Sequence, residues 1–428
     1  MRLRNVLCSL VASCWILAPH LASAGPQGFY LKAGDTVVFY GDSITQQDLY
    51  NQWVELYTTT RFPSMRLHFY GAGVGGDRVT GGSGGTIDER LARDLFPHKP
   101  TVVTIMLGMN DGNYRPTTEE MEGTYTKGFE HLLESIRAHS PDARITLLGP
   151  SPYDEVTRPL MFPGGYNGVL LHFGELDRDL AQRFRATFIG LNSPVVSAIQ
   201  KAQAIDPLIA KLLLPDRVHP DSVAHWIMAE TLLKGWNAPA LVASITIDAR
   251  DMKSANALNA TVDRIERDKD TLCWITTEQS LPLPFNRDNV NEALLLQISD
   301  IQQELNQEPL RVTSLDVGHY NLTIDGDIVG TFSADELQKG INLADYKTPM
   351  VSQAQRVGWL ISDRDQAHHV HLRMGVRKAD TGTQEGKPDV MDAFENSLEE
   401  AIYDAATPVP HKFALTPALA SRAIDPVH

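Results

Sequence analysis

Five short apolar runs in the first half of the chain each end at a glycine. They are Thr36–Tyr40 before Gly41, Arg66–Tyr70 before Gly71, Thr101–Leu107 before Gly108, Arg144–Leu148 before Gly149, and Ala186–Ile189 before Gly190. Each is short and rich in β-branched or aromatic residues, which reads as a strand. Helical patterns lie between them. The clearest runs from Thr117 to His139, where Thr117 and Glu120 form a capping box. Met121, Tyr125, Leu132, Leu133 and Ile136 then fall close to one face. Strands alternating with helices mean βαβ units and a parallel sheet. Ligands of such sheets bind beyond the carboxyl ends of the strands.

This rhythm stops near Trp236, so the chain is expected to divide near residue 240 into residues 25–240 and a smaller part, 241–428. In the second part Leu310–Thr313 and Tyr320–Ile324 read as strands. Asp325-Gly326-Asp327 reads as the turn into Ile328–Phe332, and Ser333 with Glu336 as a second capping box. The expectation is a mixed α+β or β-rich unit of unknown role. Residues 378–389 are polar and Gly-rich and read as a mobile loop. The Pro-rich end after Thr407 reads as loosely ordered.

The first residues read as a processing segment. Arg2 and Arg4 precede an apolar run from Val6 to about Ala18, and Ala22-Ser23-Ala24 supplies small residues for cleavage after Ala24. The run is too short to span a bilayer, and no later segment is long enough to do so. Val11-Ala12-Ser13-Cys14 also resembles a lipoprotein cleavage box, although the apolar run continues past it. Removing residues 1–24 takes two arginines and no acids, moving the net charge from −15 to −17. A chain this acidic suits neither a phosphate backbone nor an anionic membrane surface. Cleavage would also remove Cys8 and Cys14, leaving Cys273 alone, so no internal disulfide can form. The expected location is secreted or periplasmic.

Four blocks carry chemistry. Gly41-Asp42-Ser43-Ile44-Thr45 follows the first strand and puts a serine at a strand-to-helix turn; the plain alternative is an N-cap serine. Gly73-Val74-Gly75-Gly76-Asp77 follows the second strand, where a glycine lets the backbone offer its N–H; the alternative is a simple turn. Gly108-Met109-Asn110-Asp111 follows the third strand, where an Asn amide can face an oxyanion; the alternative is an Asx-turn. Asp216-Arg217-Val218-His219-Pro220 enters the last helix of the first part. Asp three residues before His can bond its Nδ1–H and free Nε2 as a base; the alternative is a surface pair. In order, the blocks supply a nucleophile, oxyanion donors, a base and its orienter, the parts acyl transfer needs.

With these residues the chain, over about Asp35 to Trp236, resembles the SGNH (GDSL-type) hydrolase family. Ser43, Gly76, Asn110 and His219 match its four name-giving residues, and Asp216 is in place. One departure is that Ser-Ile-Thr stands where the family's other name has Ser-Leu. The resemblance implies a flavodoxin-like three-layer sheet with helices on both faces. It implies hydrolysis of esters or thioesters through a Ser43, His219, Asp216 triad. It also implies an oxyanion hole of the Ser43 and Gly76 N–H groups and the Asn110 side chain, with no metal or organic cofactor.

Other features compete for attention. Gly81-Gly82-Ser83-Gly84-Gly85 satisfies the G-x-S-x-G pattern, but that motif needs a strand directly before it, and Asp77–Thr80 is a poor one. His368, His369 and His371 form a cluster in which His369 and His371 would share a strand face; a metal site and a solvated strand are both open. His225 reads as packing or surface. Tyr114 and Arg115 could contact substrate or simply build a loop. Trp274, Trp359 and Tyr346 could form a sugar-stacking platform or a core.

Secretion and an appended domain favour a carbohydrate O-acetylesterase acting on a small-molecule or polysaccharide ester. A lipolytic esterase, lysophospholipase or thioesterase would use the same parts. A non-catalytic glycan-binding or scaffold protein belongs to another class, and the intact set of residues argues against it. Nothing in the sequence fixes an oligomeric state.

Overall fold

A computed structural model describes residues 28–381 and 390–418. The expected signal segment, residues 1–24 with Cys14, lies outside the described residues. Five strands form one parallel sheet: β1 (Thr36–Gly41), β2 (His68–Gly73), β3 (Val102–Met106), β4 (Arg144–Gly149) and β5 (Thr187–Gly190). Their order is β2-β1-β3-β4-β5, the flavodoxin-like order, which reverses direction at β1 and β3. Val37–Tyr40, Val102, Val103 and Ile105 are all fully buried. A strand covered on both faces needs continuous apolar sequence rather than alternation, as these runs have.

The helices flank the sheet in two groups. In one, α2 (Leu49–Arg61), α6 (Asn192–Ile205) and α7 (Ser222–Gly235) pack together, with Trp53 stacked on Trp226 at 4.5 Å. In the other, α4 (Glu119–His139) meets α5 (Tyr166–Phe184) through Tyr125 stacked on Phe173 at 4.1 Å. The buried face of α4 holds Met121, Tyr125, Leu132, Leu133 and Ile136, as the periodicity predicts, with Phe129 added. Its cap is Thr118, one residue later than expected, and Thr118 accepts from the Met121 N–H.

The later chain forms two small sheets. One is mixed, containing β6 (Ser244–Asp248), β7 (Lys253–Leu258), β10 (Pro309–Thr313) and β13 (Ile341–Asn342). The other is antiparallel, in the order β8-β9-β14-β11-β12. Its strands are β8 (Ala260–Asp268), β9 (Thr271–Glu278), β11 (His319–Ile324), β12 (Asp327–Ser333) and β14 (His411–Pro417). The Asp325–Asp327 turn and the Ser333–Glu336 capping box form as read from sequence.

Three expectations are corrected. The end after Thr407 contributes a central strand: Phe413 and Leu415 are buried in alternation, and Pro410 and Pro417 only bound the strand. His368 to His371 lie in a helix, α9 (Pro349–Thr381), which also takes in residues 378–381; residues 382–389 lie outside the described residues. The 3.6-residue period was present in Ala354, Val357, Ile361, Arg364 and His368, all wholly or largely buried, and the local His-x-His alternation hid it. Of the two readings open for Trp274, Trp359 and Tyr346, a shared platform is not formed, because the three side chains do not converge. Trp274 is buried against Phe413, Tyr346 packs edge-on to Phe332, and Trp359 is exposed on α9.

The expected boundary at residue 240 describes chain order, whereas packing crosses it. Leu294, Leu295 and Ile298 of α8 (Val290–Ile298), Val357 and Ile361 of α9, and Ile402 and Ala406 of α10 (Val390–Ala406) share one apolar core with the parallel sheet. The α9–α10 hairpin lies along β2, the edge strand. Tyr403 Oη donates to the Leu67 carbonyl, and Glu399 pairs with His68 Nδ1 at 2.6 Å. The Arg364 guanidinium grips the buried Glu55 carboxylate of α2 with two bonds of 2.6 Å. Arg61, buried at the end of α2, donates to the carbonyls of Pro239, Ala240 and Leu241 and of Leu305, clasping the connection itself.

Candidate active site

The register sets the site. Gly41 lies level with Gly73 of β2 and Met106 of β3, so the loops after all three strands open on one edge. Helix α1 (Ser43–Gln46) follows β1 at once. A Cβ on Gly41 would lie 2.2 Å from Thr45 Oγ1 and 2.7 Å from the Met106 carbonyl, so only glycine allows so sharp a turn. Asp42 caps α1, accepting from the Ile44 N–H at 2.9 Å. Ser43 is therefore the first helical residue, and its own N–H has no partner within the helix.

His219 arrives from the segment before α7. Its Nε2 lies 2.8 Å from Ser43 Oγ, and its Nδ1 lies 2.6 Å from Asp216 Oδ2. An ionised carboxylate only accepts, so Nδ1 carries the proton and Nε2 accepts from the serine hydroxyl. Asp216 Oδ1 also accepts from the Val218 and His219 N–H groups at 2.9 and 2.8 Å. Partial burial would raise the Asp216 carboxyl, but the bonds from the His219 ring and these two amides hold it below the usual carboxylate range. The ring is partly exposed, at the mouth of the site.

The second and third blocks are laced together beside Ser43. A Cβ built on Gly75 would come within 3.9 Å of Ser43 Cβ, and the Gly75 N–H donates to Gln46 Oε1. Gly76 has φ +77°, the left-handed conformation that favours glycine. Asn110 Nδ2 donates to the Asp77 carbonyl at 3.0 Å and reaches Asp42 Oδ2 at 3.4 Å. Arg78 Nε donates back to the Asn110 carbonyl, and Asp111 accepts from the Val79 N–H. Burial pushes the carboxyls of Asp42 and Asp111 up to about 7.

The five residues read from sequence thus sit on one edge of the sheet, Ser43, His219 and Asp216 in direct contact. Ser83 lies apart. It tops a two-strand glycine hairpin, and its hydroxyl donates to the Gly75 carbonyl at 3.0 Å. His225 is fully buried, stacked on Tyr50 and 3.2 Å from Gln47 Oε1; burial pushes it down to about 3, so it stays neutral. Tyr114 joins Tyr153 and Tyr166 in an aromatic wall, whereas Arg115 is exposed. The His219 loop is braced by Arg217 Nη2 on the Pro159 carbonyl and Arg158 Nη2 on that of Pro215; the adjoining Leu160 and Met161 are exposed.

The site also uses Asp42, Gln46 and the buried Asp77, Arg90 and Asp94, whose roles local sequence does not single out. Asp42 was visible as a capping residue directly before the serine. Arg90 gave no local signal, being 49 residues from the Gly41 carbonyl it meets. Among the described residues no group of three or more His, Cys, Asp or Glu side chains is arranged to hold a metal ion. The His369 and His371 side chains lie outside what is described. No helix of the described residues is long and apolar enough to cross a membrane.

Residues 39–227 match the GDSL-like Lipase/Acylhydrolase family. The solved structure of BT4096, a gut microbial diltiazem-metabolizing enzyme, is 27% identical with a TM-score of 0.78, over 91% of this chain and 98% of that one. The platelet-activating factor acetylhydrolase IB subunit alpha2 of Rattus norvegicus is 32% identical over 126 residues, 29% of this chain and 47% of that protein. Its Gallus gallus counterpart is 33% identical over the same length. The chain thus spans about half the length of the curated relatives it matches.

Proposed function

With residues 39–227 belonging to the GDSL-like lipase/acylhydrolase family, we propose that this chain is a secreted serine esterase that removes short acyl groups, acetyl first, from carbohydrate. The observation that carries the chemistry is the unbroken chain Asp216 Oδ2, His219 Nδ1, His219 Nε2, Ser43 Oγ, with separations of 2.6 and 2.8 Å. A neutral serine hydroxyl is a weak nucleophile and needs such a base. His219 takes the Ser43 proton as Oγ attacks the ester carbonyl, and Asp216 stabilises the imidazolium. The Ser43 and Gly76 N–H groups and the Asn110 amide receive the oxyanion. His219 then protonates the leaving alcohol. It next activates water, which releases the acid and restores Ser43.

The acetyl preference draws support from the curated relatives, whose names denote acetylhydrolases. Secretion draws on residues 1–24. A second reading, an esterase for apolar acyl or lipid substrates, is favoured by the exposed Leu160 and Met161 beside the His219 loop.

Turnover of p-nitrophenyl esters from acetate to long acyl chains separates the two readings. A peak at acetate, with acetate released from an acetylated oligosaccharide, supports the first. A peak at long chains moves the substrate to lipids. No turnover at any length contradicts both. Asn110→Ala removes one oxyanion donor and is expected to lower kcat on the best ester by roughly 10²–10³. Circular dichroism should stay unchanged, because the Asn110 side chain bonds only loop groups.

A further inference from the structure

Beneath the proposed oxyanion donors lies a buried charge cluster that the mechanism above does not use. Arg90, at the end of α3 (Ile87–Arg90), is fully buried. Its Nε donates to Asp77 Oδ2 at 3.0 Å and its Nη1 to Asp94. Nη2 donates to the carbonyls of Ala72 at 2.8 Å and Gly41 at 3.3 Å. The guanidinium also lies over the Tyr40 ring. Arg93 pairs with Asp94 from the half-exposed side, so two cations balance two carboxylates.

Three of these four acceptors adjoin the proposed donors. Gly41 ends β1 two residues before Ser43, and Ala72 lies in β2 four residues before Gly76. Asp77 follows Gly76, and its carbonyl receives the Asn110 amide. One planar fork therefore touches the backbone shortly before Ser43 and before Gly76, and through its carboxylate the Asp77 whose carbonyl receives the Asn110 amide. We propose that Arg90 is a positioning residue for the oxyanion donors, fixing the ends of β1 and β2 against each other and, through Asp77, the amide of Asn110. The proposal rests on the reading that Ser43, Gly76 and Asn110 form the oxyanion hole.

Two physical points favour geometry over mere filling. Taking a guanidinium and carboxylates out of water is costly, and apolar side chains of like volume often stabilise as well or better. Arginine presents five donors in a fixed plane; lysine offers a point charge that cannot reach separated acceptors with the same geometry. Oxyanion donors must lie about 2.7–3.1 Å from the developing charge. A shift of about 1 Å in such a group can cost about 10²-fold.

The test compares full-length wild type, Arg90→Lys and Ser43→Ala on an aryl acetate and its thionoester analogue, with rates per site after active-serine titration to completion. Sulfur is larger than oxygen and a weak acceptor, so donors spaced for oxygen favour the oxoester. Arg90→Lys is expected to lower kcat on the oxoester by about 10- to 100-fold. KM should stay within about threefold, and the oxo/thiono rate ratio should contract by about the same factor as kcat. A general loss of packing would lower both rates together and leave the ratio unchanged.

If Arg90→Lys does not fold, Asp77→Ala cuts the tie to the donor loop while Asp94 still neutralises Arg90, and the same contraction is expected. An unchanged ratio alongside an inactive Ser43→Ala overturns the proposal alone. Turnover retained by Ser43→Ala overturns the reading beneath it.

Discussion

Replacing His219 with alanine is expected to lower kcat on an aryl acetate by roughly 10⁴- to 10⁶-fold, the scale at which serine triads fail when the base is lost. The reason is local. Among the described residues no other base is hydrogen-bonded to Ser43 Oγ: His225 is buried, neutral and turned to Gln47. Asp42 is held by the Ile44 and Asn110 N–H groups. Stability should barely move. The His219 ring is partly exposed, and the loop is braced by Arg217 and Arg158 on backbone carbonyls. Initial rates together with a thermal melt check both halves.

The second large effect concerns the clamp between the two parts of the chain. Arg364→Ala leaves the Glu55 carboxylate buried without its bidentate partner. Breaking a buried pair from one side typically costs about 3–5 kcal/mol. Burial already pushes the Glu55 carboxyl up, and the Arg364 guanidinium opposes that shift. Without Arg364 the folded-state pKa rises further. A carboxyl whose folded pKa lies above its unfolded value adds stability at low pH and loses it as pH climbs through the folded value. The variant's deficit should therefore be largest above about pH 7 and shrink towards pH 5, where Glu55 holds its proton. Melting temperatures of wild type and variant across that range measure it; a deficit independent of pH would mean the lost contacts were steric rather than ionic.

The sheet and the five site residues were legible because each is written locally. A strand buried on both faces must be a continuous apolar run, and the turn after it needs glycine, so the blocks announce themselves at strand ends. Asp216 and His219 are three residues apart, and their contact needs no long-range folding to be guessed. What stayed hidden depends on tertiary contact. Arg90 meets Gly41 and Ala72 across 49 and 18 residues. The α9–α10 hairpin closes against Glu55 and Leu67 across more than 300 residues. Helix α9 is masked in the sequence for a different reason: a two-residue histidine alternation overlies a 3.6-residue burial period five positions long. The strand at His411–Pro417 was obscured by prolines that bound it without interrupting the ladder.

Everything above turns on Ser43, not Ser83, being the acylated nucleophile. The most direct measurement is intact-mass and peptide mass spectrometry after reaction with an aryl fluorophosphonate, run on wild type and Ser43→Ala in parallel with p-nitrophenyl acetate turnover. One adduct per chain is expected, on the peptide carrying Ser43, with adduct and turnover both lost in Ser43→Ala. An adduct on Ser83, or turnover that survives Ser43→Ala, would contradict it.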